Sequence, residues 1–138
     1  MITSINIRVY ACVLKNAKLL VMHEEYAGEK LLKLPGGGLE LGEGLLDCLH
    51  REFAEELNVK IKILDHLYTQ EEFVQSKFRN QEQLLTIYYM AELVDDENLQ
   101  ILDPTIDFID WIDIGATENP FPLPVDRIAF EKLKEKLS

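Results

Sequence analysis

The residues best suited to chemistry in this sequence are Glu52, Glu55 and Glu56. A helix turns about 100° per residue, so residues three and four apart share a face and these carboxylates converge. Like charges at this spacing destabilise a bare helix, and a divalent cation with oxygen ligands would offset that cost. A solvated acidic helix face is the alternative, and the cluster taken alone favours it.

A glycine-rich loop precedes the acidic cluster and favours the metal-binding interpretation over the solvated helix face. Gly36, Gly37 and Gly38 follow Pro35, and consecutive glycines permit close backbone approaches that side chains forbid. Glu43 follows in the same loop. Arg51 can offset part of the negative charge by pairing with Glu55 one helical turn later, or with Glu43.

The element that must position these carboxylates is a helix over Leu45–Leu57. Asp47 can reach back to the first free amides if Gly44 is the N-cap, and Asn58 suits the left-handed position that ends many helices. The residues predicted to face the core share one stripe: Leu46, Leu49, Phe53 and Leu57.

Alternating and branched residues predict strands elsewhere in the chain. They span residues 3–14, Leu19–His23, Leu31–Leu34, Val59 toward Glu72, Leu84–Val94 and Phe108–Ile114. On the first strand, Arg8 lies on the face opposite the aliphatic one. Residues 24–29 and 73–83 are predicted to be polar loops. A C-terminal helix over Val125–Leu137 is expected to turn Ile128, Leu133 and Leu137 inward.

The stretch from Gly37 to Val59 resembles the signature of the Nudix hydrolase family. That signature is a glycine, five residues, a glutamate, seven residues, then R-E-U-x-E-E-x-G-U, where U is a bulky aliphatic residue. The matching residues are Gly37, Glu43, Arg51, Glu52, Glu55, Glu56 and Val59. Phe53 replaces an aliphatic residue, and Asn58 replaces the glycine but tolerates the same conformation.

This resemblance implies a fold and a set of residue roles. The fold would be α/β, a Nudix-type α/β/α sandwich around a mixed β-sheet, with residues 1–138 forming a single domain. Glu52 and Glu56 would be the main ligands of Mg²⁺ or Mn²⁺. Glu55 would be a third ligand or act through water, and the Gly37 carbonyl would join the metal shell. The bracing pair, Glu43 and Arg51, would hold the loop against the helix.

The activity implied by the resemblance is hydrolysis of a nucleoside diphosphate linked to another moiety. The substrate would be a nucleoside diphosphate sugar such as ADP-ribose, or a modified nucleoside triphosphate. A metal ion would neutralise phosphate oxygens while a carboxylate orients or deprotonates the attacking water. A catalytically silent Nudix-fold module that binds or senses a nucleotide is the alternative, and a plain acidic interaction domain is a third possibility.

Several residues outside the signature are further candidates for the site. Glu82 resembles a family glutamate that completes the metal site or acts as the base, although a solvated loop glutamate is the competing interpretation. Arg8, Arg79 and Lys77 could contact substrate phosphates or pair with surface carboxylates. Aromatic residues could stack on a base or belong to the core; these are Tyr26, Phe73, Tyr88 and Tyr89. Cys48 is expected to be a small packed residue, and the histidines carry no ligand spacing.

Composition limits the partners of the protein. The chain has 138 residues, 47% of them hydrophobic, and a formal net charge of −11. Such an acidic balance argues against binding a nucleic-acid polymer, while a metal ion can still connect carboxylates to a small phosphate compound. No membrane segment is present in the sequence pattern, and two cysteines make no disulfide framework. We therefore expect a cytoplasmic protein, with a homodimer possible.

Overall fold

The structure is a computed structural model that describes residues 1–116 and 118–138. The strands are β1 Ser4–Lys15, β2 Lys18–Tyr26, β3 Glu29–Lys33, β4 Gly36–Gly38, β5 Ile61–Thr69, β6 Val74–Gln75, β7 Glu82–Leu93 and β8 Ile106–Asp113. The helices are α1 Leu45–Leu57 and α2 Pro124–Leu137, and a short 3-10 turn covers Asp96–Asn98. In the described part of the chain, neither helix is long and apolar enough to cross a membrane.

One mixed sheet connects all the strands. Its main order is β3-β2-β1-β7-β5, with β4 paired to β1, β6 to β7 and β8 to β2. The long β1–β7 pairing is parallel, whereas β1 pairs antiparallel with β2 and β4. The predicted mixed sheet is therefore confirmed.

Each face of the sheet is covered by one helix, and β1 shows why. Val9, Ala11 and Val13 belong to the core that contains the buried side of α1. Tyr10 and Cys12 belong to the core that contains α2. Since successive residues of a strand point to opposite faces, β1 is buried on both sides, and the predicted α/β/α sandwich is confirmed.

Helix α1 has the predicted bounds and ends. The Gly44 amide donates to Asp47 Oδ2 at 2.9 Å, and Asn58 adopts the left-handed conformation with φ 57°. The prediction that Leu46 faces the core is wrong, because its side chain is 46% exposed. Leu45 packs against the core instead, since the buried stripe continues four residues back from Leu49.

Helix α2 also buries a different stripe from the one predicted. Ile128 and Leu137 are 40% and 48% exposed, so their inward assignment is wrong, whereas Leu133 is fully buried. The stripe toward the sheet consists of Val125, Asp126, Ala129, Phe130 and Leu133. Ile128 lies one residue before Ala129 and is therefore turned about 100° away from the sheet.

Two predicted loops contain strand. In the predicted loop 24–29, β2 continues to Tyr26 and pairs with β3, which begins at Glu29. Ala27 and Gly28 form the turn between these two strands, and both have positive φ. The predicted loop 73–83 contains β6, which pairs with β7. In the opposite direction, β5 ends at Thr69 and does not continue to Glu72.

Candidate active site

The glycine strand β4 brings the backbone directly beneath an α1 carboxylate. Gly37 lies opposite Val9 of β1. A Cβ added to Gly37 would lie 2.4 Å from Glu52 Cδ, closer than any real contact. Gly36 has φ +147°, and a Cβ there would lie 2.1 Å from the Val9 carbonyl oxygen. Glycines at these two positions therefore let the Glu52 side chain lie over the sheet edge.

Arg51 joins the loop to the helix. Its Nε donates to Glu43 Oε2 at 3.0 Å and its Nη2 donates to Oε1 at 2.7 Å, while Nη2 also donates to the Gly38 carbonyl at 2.9 Å. The hydrogen bonds from Arg51 lower the pKa of Glu43 to about 2, with help from the amide of Glu40. A planar guanidinium suits this bidentate geometry, so the loop is fixed against α1.

The same arginine contacts two of the predicted metal ligands. Arg51 Nη1 donates to Glu52 Oε1 at 2.8 Å and to Glu55 Oε2 at 3.3 Å. The Glu55 side chain is 61% exposed, whereas that of Glu52 is largely covered. Glu52 therefore lies at the inner edge of the cluster, and Glu55 lies on its outer surface.

Glu56 is the α1 carboxylate with a buried oxygen, Oε1, that has no hydrogen-bond partner. Burial, followed by the charge of Glu52, raises the pKa of Glu56 to about 9. An orphaned oxygen beside a second carboxylate is chemically suited to a hard divalent cation. Among residues 1–116 and 118–138, no three acidic, histidine or cysteine side chains already form a complete ligand group.

The carbonyls of the glycine strand face the first turns of α1. The Gly37 carbonyl accepts a weak hydrogen bond from Cys48 Sγ at 3.7 Å. Burial and the charge of Glu43 raise the pKa of Cys48 to about 12, so the thiol stays protonated. Cys48 therefore fits the packing role that its position predicts and lacks the thiolate that a nucleophile needs.

A cavity of about 600 Å³ opens on the α2 side of the sheet. Its floor consists of two parallel rows, formed by Asn6, Arg8 and Tyr10 of β1 and by Leu84, Thr86 and Tyr88 of β7. Its remaining walls come from the β2–β3 hairpin, residues 74–79 and the start of α2. Four cationic side chains line it: Arg8, Lys33, Lys77 and Arg79. The cavity is thus basic in a strongly acidic protein.

Arg8 lines this cavity and lies opposite Gly38 of the glycine strand. Its Nε donates to the Tyr10 hydroxyl at 2.6 Å. Burial lowers the pKa of Arg8, but Tyr10, Glu52 and Glu56 outweigh burial and raise it. Arg8 therefore stays charged in the cavity wall.

Glu82 and Arg79 lie at the other end of the floor. Glu82 Oε1 accepts from Asn6 Nδ2 at 3.1 Å, and Arg79 Nη1 lies 3.9 Å from Glu82 Oε2. These contacts keep Glu82 within the cavity wall, and none of them joins it to the α1 carboxylates. Of the further cations named from the sequence, Lys77 pairs with Glu29 at 2.6 Å.

The aromatic candidates separate into two groups. Tyr26 lines the cavity, and its ring centroid lies 4.6 Å from that of Phe78. Tyr88 also lines the cavity, although its side chain is fully buried. Phe73 is 64% exposed and does not line the cavity. Tyr89 packs toward α1 on the opposite face. The interpretation of Phe73 and Tyr89 as base-stacking residues is therefore not supported by their positions.

Sequence reasoning missed several polar residues of the cavity, among them three whose contacts matter most. Lys33 pairs with Glu24 at 3.0 Å, Tyr10 anchors Arg8, and Asp126 accepts a hydrogen bond from the Tyr88 hydroxyl at 2.5 Å. The available signal was an aspartate on the buried stripe of α2, since an acidic residue seldom lies among core positions without a partner.

Comparison with known proteins identifies the family to which the chain belongs. The NUDIX domain family model matches residues 6–132. The chain belongs to the Nudix family. No curated protein matches the chain significantly in sequence.

Solved Nudix structures resemble this one closely in fold and distantly in sequence. A MutT Nudix hydrolase from Burkholderia pseudomallei is 18% identical, with a TM-score of 0.77 over 94% of this chain and 98% of that one. The MutT protein from Methanosarcina mazei is 18% identical, with a TM-score of 0.78 over 100% and 99%. An ADP-ribose pyrophosphatase from Streptococcus suis is 16% identical, with a TM-score of 0.66 over 96% and 92%.

Membership of the family confirms the enzyme class predicted from the signature, a Nudix hydrolase that acts on diphosphate bonds. The low identities mean that the solved structures bear on the fold alone.

Proposed function

We propose that this Nudix hydrolase is a metal-dependent pyrophosphohydrolase that cleaves a nucleoside diphosphate linked to another moiety. The position of Arg8 is the observation that carries the proposal. Arg8 lines the basic cavity and lies opposite Gly38 of β4, next to Gly37, whose backbone lies beneath Glu52. A diphosphate at this junction would contact the acidic cluster on one side and place its organic moiety in the cavity on the other.

The carboxylates fit a divalent cation. Glu52 and Glu56 would hold Mg²⁺ or Mn²⁺, because Glu56 offers a buried oxygen without a partner. The Gly37 carbonyl and Glu55 would complete the shell from the glycine strand and the outer helix surface. When bound, the cation would neutralise phosphate oxygens and make water easier to deprotonate. Its ligands must be deprotonated, so binding would release the proton that Glu56 holds.

The other residues bind and orient the substrate. Arg8 is already fixed by Tyr10 and would contact the diphosphate oxygens through its planar guanidinium. Arg79 and Lys77 would add charge from the cavity mouth. A glutamate would accept the proton of the attacking water, with Glu82 and the α1 carboxylates as candidates. The leaving group is itself a phosphate, so a strong general acid is not required.

The cavity supports a nucleotide-sized substrate. A volume of about 600 Å³ lies within the usual range of small-molecule sites. Structures similar to this chain include an ADP-ribose pyrophosphatase and a UDP-X diphosphatase. We therefore propose nucleoside diphosphate sugars such as ADP-ribose and modified nucleoside triphosphates as the two substrate classes to compare.

The test is a hydrolysis panel with Mg²⁺ or Mn²⁺, containing nucleoside diphosphate sugars and oxidised nucleoside triphosphates. Products are identified as nucleoside monophosphate plus sugar phosphate, or as monophosphate plus pyrophosphate. Glu56→Gln should lower kcat by at least about 100-fold, because metal charge stabilisation supplies several kcal/mol. Glu92→Gln changes an exposed glutamate at the far end of β7 and should leave the rate unchanged.

A catalytically silent module would behave differently in this panel. Nucleotides would raise the melting temperature, yet no member would be hydrolysed at any metal concentration. An unchanged rate in Glu56→Gln would reject the metal role assigned to that residue. Cytoplasmic location and a homodimer remain predictions, and sedimentation of the purified chain tests the latter.

A further inference from the structure

Two arms extend over the floor of the cavity from opposite sides. The β2–β3 hairpin lies beyond β1, whereas residues 74–79 begin with β6, which pairs with the edge of β7 that faces away from β1. The arms touch at their tips, where the ring centroids of Tyr26 and Phe78 lie 4.6 Å apart and Lys77 Nζ lies 2.6 Å from Glu29 Oε2. Because the floor lies between the two arms, these contacts span the cavity. We call these four residues the arch.

The second arm is fixed to the sheet at its base. Gln70 Nε2 donates to the Leu84 carbonyl at 2.9 Å, and Gln70 Oε1 accepts from the Thr86 amide at 3.1 Å. The side-chain amide of Gln70 thereby pairs with β7 in the gap between β5 and β6. At the start of the tip, the Ser76 amide donates to the Glu82 carbonyl at 2.8 Å. Movement of this arm is therefore confined to the residues beyond Ser76.

Weak contacts hold the two tips together. The side chains of Lys77 and Glu29 are 50% and 49% exposed, and ion pairs with such exposure contribute little to stability. The edge-to-face contact of Tyr26 with Phe78 adds a modest attraction. Segments held by a few exposed contacts open at a small fraction of the free energy of global unfolding. The arch is therefore closed in this structure and is easily opened.

We propose that the arch is a gate that sorts molecules by size. Small molecules pass the closed arch, whereas nucleotide-sized molecules reach the floor only when Phe78 and Lys77 separate from Tyr26 and Glu29. The inference rests on the proposed function, because it takes the cavity to be the place of the substrate's organic moiety. Such a gate selects substrates by the breadth of that moiety, which the signature residues of α1 do not contact.

The experiment measures access to the floor in the absence of substrate and metal. Thr86→Cys places a thiol at a floor position that is 3% exposed and lines the cavity. The thiol is alkylated with iodoacetamide or with N-(1-pyrenyl)iodoacetamide, two neutral reagents that share a reactive group and differ in size. The ratio of their rate constants, divided by the ratio for glutathione, cancels changes in thiolate fraction. Wild-type protein, in which Cys12 and Cys48 are buried, gives the background rate.

Phe78→Ala in the Thr86→Cys protein is the decisive variant. Loss of the ring removes the contact with Tyr26, so the pyrenyl reagent should react at least about tenfold faster, while the iodoacetamide rate should change by less than about threefold. The rate follows the population of the open arch when opening and closing are faster than alkylation. Phe73→Ala is the matched control, because Phe73 is 64% exposed and does not line the cavity. Its two rates should equal those of the parent.

An exchange of charge tests the ion pair separately. Glu29→Lys places a second cation beside Lys77 and should raise the pyrenyl rate by about threefold. Addition of Lys77→Glu restores a pair of opposite charges and should return the rate to that of the parent. Rescue of this kind distinguishes a gate from local damage to either arm. Both side chains are half exposed, so this pair of variants also serves if Phe78→Ala does not fold.

Three outcomes overturn the proposal. A pyrenyl rate that is unchanged in both Phe78→Ala and Glu29→Lys means that large molecules reach the floor by another route. A parent protein that shows the glutathione ratio has no barrier that depends on size. A floor thiol that iodoacetamide does not alkylate means that the floor is closed to small molecules as well. The assay contains no nucleotide, so a failure of the proposed function in the hydrolysis panel leaves this test unaffected.

Discussion

Two groups of charged residues, on helix α1 and in the loop before it, lie in opposite environments. In the first, which we call the brace, Arg51 holds Glu43 through two hydrogen bonds and the pKa of Glu43 is about 2. In the second, which we call the carboxylate pair, Glu56 lies beside Glu52 with an unpartnered oxygen and a pKa of about 9. Hydrogen bonds within the protein satisfy the first group, whereas the second contains a buried carboxylate oxygen without a partner.

Helical spacing explains the difference. Arg51 reaches Glu55 four residues later, and it reaches Glu43 through the loop. Glu56 follows Arg51 by five residues and lies outside the neighbourhood that three- and four-residue spacing creates. Arg51 pairs with Glu52 at 2.8 Å, and burial of Glu56 beside Glu52 leaves Glu56 Oε1 without a hydrogen-bond partner. The contrast teaches that one arginine can fix the loop and still leave a carboxylate oxygen five residues later without a hydrogen-bond partner.

The largest predicted effect comes from displacing Glu52 out of the carboxylate pair. Gly37→Ala places a Cβ 2.4 Å from Glu52 Cδ. We expect kcat to fall by about 100-fold or more, because the lost charge stabilisation is worth several kcal/mol. The apparent Mg²⁺ affinity should fall with it, measured by titrating the rate against the metal.

Gly38→Ala is the control for that substitution. Its Cβ would lie 3.5 Å from Arg8 Nη1 and 3.6 Å from Asn6 Oδ1, which are ordinary contacts. Activity should stay within a few-fold of wild type. Equal losses in both variants would mean that the glycine strand responds to any side chain, and the contact with Glu52 would then lose its special importance.

The second prediction breaks the brace. Arg51→Lys keeps the charge but loses the planar fork that holds Glu43 and the Gly38 carbonyl. We expect activity to fall by about 10- to 100-fold, as for groups that orient metal ligands. The melting temperature should drop by roughly 5 °C. Thermal melts and steady-state kinetics measure both changes.

A double-mutant cycle with Glu43→Gln identifies the partner that matters. Residues that share hydrogen bonds give non-additive effects, so the double variant should lose less than the sum of the single losses. Full additivity would show that Arg51 acts mainly on Glu52 and Glu55, and the distinction between brace and carboxylate pair would fail.

Only part of the difference between the brace and the carboxylate pair could be predicted from the sequence. The bounds of α1, its capping by Asp47 and the left-handed Asn58 follow from local spacing, and the structure agrees. The environment of Glu56 does not follow from spacing, because it depends on which side of the helix the sheet edge covers. The same reason explains the wrong placement of Leu46, one residue away from the true core stripe.

The cavity was harder to predict than the signature. Its residues come from β1, the β2–β3 hairpin, the 74–79 segment, β7 and the start of α2. Arg8 was identified because it alternates away from the aliphatic face of one strand. Asp126 and Lys33 meet it only through strand pairing and helix docking over long sequence separations. Residues brought together in this way leave no periodic pattern in the sequence, so the sequence alone did not predict the lining of the cavity.

The third prediction concerns the pH dependence of the carboxylate pair without metal. Glu56 has its pKa raised from 4.5 to about 9 in the folded protein. Its stabilising contribution is therefore full below pH 4.5 and is lost as pH rises through about 9. Metal-free melting temperatures should fall across this window. Glu56→Gln should remove much of the decline and stabilise the alkaline protein by about 1–3 kcal/mol, the cost of an unsatisfied buried group.

Glu43 provides the internal comparison for that experiment. Its pKa is lowered from 4.5 to about 2, so its contribution is present above pH 4.5 and is lost as pH falls toward 2. Glu43→Gln should therefore alter the acid limb of the stability profile, while Glu56→Gln alters the alkaline limb. Identical profiles of stability against pH for Glu43→Gln and Glu56→Gln would contradict the opposite pKa shifts of the two carboxyl groups.

The smallest predicted effect belongs to Glu55, which lies between the two groups. Its side chain is 61% exposed and accepts one long hydrogen bond from Arg51, at 3.3 Å. An exposed pair is worth at most about 1 kcal/mol, so Glu55→Gln should change activity by less than about fivefold in saturating Mg²⁺. Rates measured from limiting to saturating metal distinguish its possible roles. A larger loss that disappears at high Mg²⁺ would make Glu55 a true third ligand, and a loss that persists would place it among the catalytic groups.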